Sequence, residues 1–429
     1  MICGPLVSDM VGMWLLLLAS LTVYAGYGLT GFAYLIAAIT GSYLAGLLIP
    51  KHRVVMWIMV TIHALILLFM KLQNVVGTSF LAPLGLSYFT LRVISYMADV
   101  YMGKTEPERD LSRYALYISF LPCIFLGPIE SYGQFQKSVL CRRKMDWDGI
   151  SSGAVRILWG LFKKIVIASR AGVVVGAISA DPEAFRGAYA FFAMLMYSVQ
   201  LYTDFSGGID VVLGICEMMG IRLSENFNTP YFSQSVQEFW RRWHMTLGGW
   251  LRNYVYIPLG GSRKGIVRKY LNTIITFLVS GIWHGAEYLL WGLFNGIFVA
   301  LGDKCKTRFK WLNITGTFLL ITFLWAFFVW PDTATAVNMV WSVFAEFGLG
   351  AFVSGFGSLN LNLGEWLVLV GALVVLLWHD IRKQQLNSRF AGMKPESRVA
   401  VICTLGLAVL VFGMYGIGFN AADFIYSQF

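Results

Sequence analysis

Charge is what this sequence has least of. Only 13% of its 429 residues are Asp, Glu, Lys or Arg, against 57% hydrophobic, and its mean hydropathy is +0.66. A soluble domain of this length could not cover so much apolar surface, so soluble classes are excluded and lipid must be the solvent. Histidine is scarce, with five residues (His52, His63, His244, His284, His379), and no HxxH or HExxH occurs. Cys3, Cys123, Cys141, Cys216, Cys305 and Cys403 form no CxxC and keep no regular spacing. Neither a disulfide framework nor a metal is therefore expected. Polar linkers and internal repeats are missing too. The longest polar stretch is "GKTEPERDLSR" at residues 103–113, so residues 1–429 read as one integral-membrane domain. The basic residues flank apolar segments instead of forming a soluble face, which excludes nucleic acid as a partner.

Long apolar runs are what the chain has in place of charge. Residues 13–29, 32–49, 54–70, 191–212, 312–330, 366–378 with flanks, and 400–414 each approach the length that crosses the hydrocarbon layer. With shorter and broken runs counted, about ten or eleven transmembrane or re-entrant helices are expected, in an all-α polytopic fold. The amino-terminal "MICGPLVSDMVGMWLLLLAS" lacks a basic n-region and a small-residue cleavage site, so it reads as a retained span. The formal charge of +10 clusters beside spans, most densely at Arg263, Lys264, Arg268 and Lys269. That cluster is expected to be cytoplasmic.

The centre of the chain departs from simple spans. "FLPCIFLGPIESYGQF" holds Pro122, Gly127 and Pro128 in an apolar run, and proline interrupts helical hydrogen bonding. Broken backbone at membrane depth persists only where protein buries it or water lines it. "ILWGLFKKIVIASR" carries Lys163 and Lys164, and "YTDFSGGID" carries Asp204 and Asp210. Ionisable groups in such segments usually face an interior or a cavity. A substrate-accessible interior is the expectation.

Two stretches place a histidine beside a tryptophan: "RRWHMTLGGW" at residues 241–250 and "SGIWHGAEYLLW" at 280–291. Trp240, Trp243, His244, Leu247, Trp250, Leu251 and Tyr254 keep helical spacing, which predicts one amphipathic helix with His244 in its aromatic stripe. Arg241 and Arg252 come round to another face. The Gly248–Gly249 pair weakens the helix and Pro258 ends it. Such a basic, tryptophan-rich helix is expected at the membrane interface, aromatics in the headgroup layer, with His244 open to either a packing or a functional role. His284 is different. At 1.5 Å per residue it lies roughly 22 Å of helix from Lys269 and roughly 30 Å from Lys304. An imidazole that deep has its charged form disfavoured, which suits a general base. Gly281 and Gly285 beside it permit close approach of another backbone or a substrate.

"ENFNTPYFSQSVQEFWRRWHMTLGGWLRNYVYIPLGGSRKG" followed by "SGIWHGA" resembles the membrane-bound O-acyltransferases, in the bacterial branch that modifies alginate and lipoteichoic acid. "LGLSYFTLRVISYMADVYMGK", "FLGPIE", "YTDFSGGIDVVLG" and the terminal "FIYSQF" follow in the family's order. "WLLLLASLTVYAGYG" is similar to what ordinarily follows a first span in this branch. Ser131 stands where arginine is common, and Asn295 where a histidine is frequent.

The resemblance implies many helices around a narrow central tunnel through a thinned part of the membrane. It implies that His284 is catalytic and that His244 is the second functional histidine. Trp283, Trp243, Asp204, Asn226 and Arg241 are the candidate substrate-binding or tunnel residues. No bound cofactor is implied; the donor is a cytosolic acyl thioester, acetyl-coenzyme A or an acyl carrier protein. The expected reaction carries an acyl group, acetyl first, across a bacterial plasma membrane to hydroxyls of a cell-surface polysaccharide. A separate extracytoplasmic acyltransferase is the expected partner. D-alanyl transfer from a carrier protein to teichoic acid is the alternative. A polytopic transporter, with Asp204, Asp210 and the histidines as its pathway, is the rival from another class.

Overall fold

A computed structural model describes residues 7–76, 83–141, 145–302 and 306–415. The terminal "FIYSQF", Cys3, Lys304 and Cys305 lie outside the described residues. Among those described there is no strand. The amino-terminal layer comprises α1 (Val7–Tyr27), α2 (Leu29–Leu48), α3 (Val54–Val76), α4 (Leu86–Tyr101), α5 (Leu111–Ser119), α6 (Leu121–Phe125) and α7 (Tyr132–Phe135). The centre holds α8 (Trp147–Leu161), α9 (Ser169–Ser179), α10 (Ala188–Met218), α11 (Val236–Arg242), α12 (Met245–Leu251), α13 (Ile266–His284) and α14 (Leu289–Leu301). Then follow α15 (Lys310–Leu324), α16 (Ala326–Val329), α17 (Thr333–Ala345), α18 (Leu349–Ser354), α19 (Leu363–Ala391) and α20 (Pro395–Phe412).

Six helices among the described residues are long and apolar enough to cross a membrane: α1, α2, α3, α15 with α16, α19 and α20. The protein is a multi-pass membrane protein. The further spans counted in the sequence are short, broken or charged. α10 carries Asp204 and Asp210, and α14 and α17 have 13 residues each. α10 is largely buried, whereas α14 and α17 bury one face and expose apolar side chains on the other, Phe294 and Trp341 among them.

Glycine sets the central packing. A Cβ on Gly153 or Gly160 of α8 would lie 2.5 Å from the carbonyl oxygen of Gly214 or Gly207 of α10. Only hydrogen fits there, so the two helices meet backbone to backbone. The following π-helical stretch, Phe162–Ala168, aims both lysines at α10. Lys163 bonds Ser206 at 2.8 Å and Asp210 at 2.6 Å, Lys164 bonds Asp204, and Arg156 bonds Asp210 at 3.0 Å. The intramembrane acids are therefore paired within the protein.

Buried side chains form two clusters. One gathers α1–α7 with Leu247, Leu251 and Trp283; the other gathers α9, α10, α15–α17 and α19 with Trp243 and Trp291. Both histidine stretches contribute to both clusters, so they lie on the seam. Basic residues collect on one face, where Asp99, Asp148 and Glu225 lie too. Lys51, Arg53, Lys104, Arg263, Lys264, Arg268, Lys269, Arg389, Lys394 and Arg398 fall at or beyond helix ends that gather on one side. Contacts tie these ends together, among them Arg53 over the Tyr101 ring and Arg398 on Asp148. The opposite ends carry Asp181, Glu183, Asp332 and Glu346, with Arg186 held bidentately by Glu346 at 2.7 and 2.8 Å.

Candidate active site

The expected helix through residues 240–254 is two helices. α11 ends at Arg242, α12 starts at Met245, and His244 between them has φ 42° and ψ 54°. A left-handed histidine costs about 1–2 kcal/mol, and Asn226 offsets part of it. The fully buried Asn226 accepts the Met245 N–H through its backbone oxygen at 3.0 Å. Its carboxamide oxygen accepts the Thr246 N–H at 3.1 Å and hydroxyl at 2.6 Å. These are the amino-terminal donors that a new helix leaves without intrahelical partners. Asn226 thus caps α12 from a distant segment and fixes the His244 turn. Periodicity carried no sign of the break.

The interfacial placement of this stretch is also corrected. Trp243 and His244 are each 3% exposed. Trp243 packs against Phe227, Phe239 and Trp325 with centroids 5.0, 5.4 and 5.3 Å away, and Phe205 meets the His244 ring edge-on at 5.0 Å. The aromatics face the protein interior because α10, α15 and α16 offer them more apolar contact than a headgroup layer could.

His284 is the last residue of α13, and α14 folds back along it. A Cβ on Gly281 would lie 2.7 Å from the Tyr288 carbonyl oxygen, and one on Gly292 2.5 Å from that of Phe277. Gly281 therefore admits a second backbone. Gly285 turns the chain at φ 156°, where a Cβ would strike the Glu287 carboxylate at 2.7 Å. Rings of Trp283, Trp291 and Phe328 hold the His284 imidazole with centroids at 4.7, 5.4 and 5.8 Å.

 His244 and His284 meet in space: both line one cavity of about 60 Å³. Forty residues of chain separate them. A water occupies roughly 10–15 Å³ on this measure, so the cavity takes a small organic group. Leu201, Leu247, Leu251, Trp240, Trp291, Trp325 and Phe328 supply most of its wall, and Ser280, one turn before His284, adds a hydroxyl. No Asp or Glu is among the described residues lining it.

A second, polar cavity of about 500 Å³ lies across α12, lined by Asp99, Lys104, Gln134, Ser224, Glu225, Thr246, Asn253 and Tyr254. Lys104 places it at the basic face. Thr246, Gly249 and Trp250 face this cavity, while His244, Leu247, Gly248 and Leu251 face the other. α12 is thus the partition between them.

Of the residues singled out in the sequence, His244, His284 and Trp243 line the small cavity. Trp283 is buried beside it, edge-on to Tyr88 at 6.3 Å. Asn226 acts on the His244 turn. Asp204 pairs with Lys164 and lines neither cavity, and Arg241 is exposed on α11. Sequence reasoning missed Ser280, which shares a helix face with His284 at a spacing of four and could have been found. It also missed Trp325, which no local pattern connects to either histidine. Asn295 receives the Trp240 indole N–H at 2.9 Å and so orients a wall of the cavity.

Comparison with known proteins agrees with this architecture. The family model described as the membrane-bound O-acyltransferase family matches residues 85–331. A probable alginate O-acetylase of Pseudomonas putida is 37% identical over 281 residues, 64% of this chain and 58% of that protein. One from Pseudomonas fluorescens is 34% identical over 400 residues, covering 89% of this chain and 79% of the relative. A peptidoglycan O-acetyltransferase of Helicobacter pylori is 31% identical over 379 residues, 77% of this chain and 70% of that one. The chain thus spans between just over half and four fifths of these relatives. It belongs to the membrane-bound O-acyltransferase family.

Proposed function

We propose that this chain transfers a small acyl group, acetyl by preference, from a cytosolic thioester to hydroxyls of an extracytoplasmic polysaccharide. The observation that carries the reading is the one cavity shared by His244 and His284, one helix away from a polar cavity at the basic face. By the positive-inside tendency that face is cytosolic, in a bacterial plasma membrane. The donor, acetyl-coenzyme A or an acyl carrier protein, enters there. Lys104 and the basic residues near Arg263 offer charge to its phosphates or acidic surface. An extracytoplasmic acyltransferase working with the chain would complete the relay.

The chemistry needs a base, orientation and support for the oxyanion. His284 accepts the hydroxyl proton as the oxygen attacks the thioester carbonyl. The C–O bond forms, the C–S bond breaks, and the departing thiolate takes the proton from the imidazole. His244 is placed to orient the thioester or donate to the oxyanion. The names of the relatives, alginate O-acetylase and peptidoglycan O-acetyltransferase, support an acetyl group and a glycan acceptor. The acid-free cavity favours acetyl over a D-alanyl group, whose ammonium would enter an apolar site without a carboxylate partner. The paired intramembrane acids speak against a transporter pathway.

The test is transfer from labelled acetyl thioester in membranes holding equal amounts of folded protein. His284→Ala and His284→Gln should each lower turnover by about 10²–10⁴-fold, the usual contribution of a general base. Near-normal turnover in the glutamine variant, which keeps hydrogen bonding but is no useful base, refutes the assignment.

A further inference from the structure

Glycine inside a helix is destabilising relative to alanine, and in this protein some helical glycines answer to close packing while others, Gly176, Gly316, Gly371 and Gly406 among them, meet nothing within 4 Å. Gly153, Gly160, Gly281 and Gly292 each face a backbone oxygen that a Cβ would meet at 2.7 Å or less. Gly248 and Gly249 of α12 do not. A Cβ on Gly248 would have the Trp240 carbonyl oxygen as its nearest neighbour at 3.6 Å, an ordinary contact, and one on Gly249 would meet nothing within 4 Å. Neither has a positive φ. Among the described residues, then, neither packing nor backbone conformation requires glycine here.

The position of the pair supplies another reason. Gly248 opens on the histidine cavity and Gly249 on the polar one, so the partition is thinned to bare backbone at this point. Trp243, Trp291 and Trp325 also line this cavity and pack on one another, with the Trp325 ring 5.3 Å from Trp243 and 6.2 Å from Trp291.

We propose that the acyl group of the thioester lies over Gly248, and that the missing side chain there sets the acyl length the cavity admits. The inference rests on the transfer reaction proposed above, in which the acyl carbon must reach His284 from the polar cavity. In about 60 Å³, one added methyl takes space directly from the acyl chain. Discrimination by a methylene in an apolar pocket is typically about 10–200-fold.

The experiment measures kcat/KM of the full chain in proteoliposomes with acetyl-, propionyl- and butyryl-coenzyme A. Gly248→Ala introduces alanine into a helix without a clash, so folding should hold. It should lower butyryl transfer about 10–200-fold more than acetyl transfer, and Gly248→Leu should abolish both. Gly249→Ala, on the other face, should leave the acetyl-to-butyryl ratio as in the unmodified chain. An unchanged ratio in folded Gly248→Ala overturns the inference alone. No transfer from any thioester by the unmodified chain overturns instead the reaction on which it depends.

Discussion

Replacing Asn226 with alanine tests whether the His244 turn is held from outside its own helix. The carboxamide oxygen of the fully buried Asn226 accepts two bonds, from the N–H and hydroxyl of the half-buried Thr246. The hydroxyl keeps a second role, since it accepts the Ile129 N–H at 3.0 Å. Alanine takes the acceptor from both donors, but Thr246 faces the polar cavity, where water reaches its hydroxyl, so the loss is that of about one unsatisfied donor. Asn226→Ala should lose about 1–3 kcal/mol of unfolding free energy. The assay is reversible unfolding in mixed micelles, combined with Thr246→Ala in a double-mutant cycle. The two substitutions should fall short of additive by about 0.5–3 kcal/mol, as directly bonded partners do. Acyl transfer per folded molecule should fall as well, because His244 loses its fixed conformation. A change in stability below about 0.5 kcal/mol, the ordinary scatter of surface substitutions, would refute the capping argument.

Three further outcomes follow from the packing. Gly281→Ala should destabilise by about 1–3 kcal/mol through overpacking against the Tyr288 carbonyl, read in the same unfolding assay; stability like the parent would show that α13 and α14 can separate freely. Asp210→Asn removes the charge facing Lys163 and Arg156 and should cost about 3–5 kcal/mol, whereas a neutral result would mean solvent already screens the cluster. A cysteine at Ser262 should be labelled by impermeant reagent only after cells are opened; ready labelling from outside would invert the topology.

Much of the fold was legible because its signals are local. The apolar runs that became α1, α2, α3, α19 and α20 need only length and composition to be found. The burial of His284 was legible from its distance to flanking charge. The break at His244 was not, because the aromatic spacing on both sides suits a continuous helix and the deciding bonds come from Asn226, eighteen residues earlier. The tryptophans around His244 were misplaced for a related reason. Amphipathic pattern says that an aromatic face is buried, but not whether lipid or Trp325 buries it. Asp204 stood out as an intramembrane charge, and only its pairing with Lys164 shows that the charge is spent within the protein.

The end of α13 has an electrical consequence. Peptide dipoles aligned along a helix leave roughly half a negative charge at its carboxyl end, and His284 is the final residue of this helix. Serine-protease-like sites place a carboxylate behind the histidine to support the positive charge it gains with a proton. Here no described acid lines the cavity, and the helix terminus itself supplies the negative potential. Such a terminus is worth up to about 2 kcal/mol to a partly buried cation. It steadies the imidazolium while the proton is held, and as a partial charge it repels the departing thiolate less than a full carboxylate would.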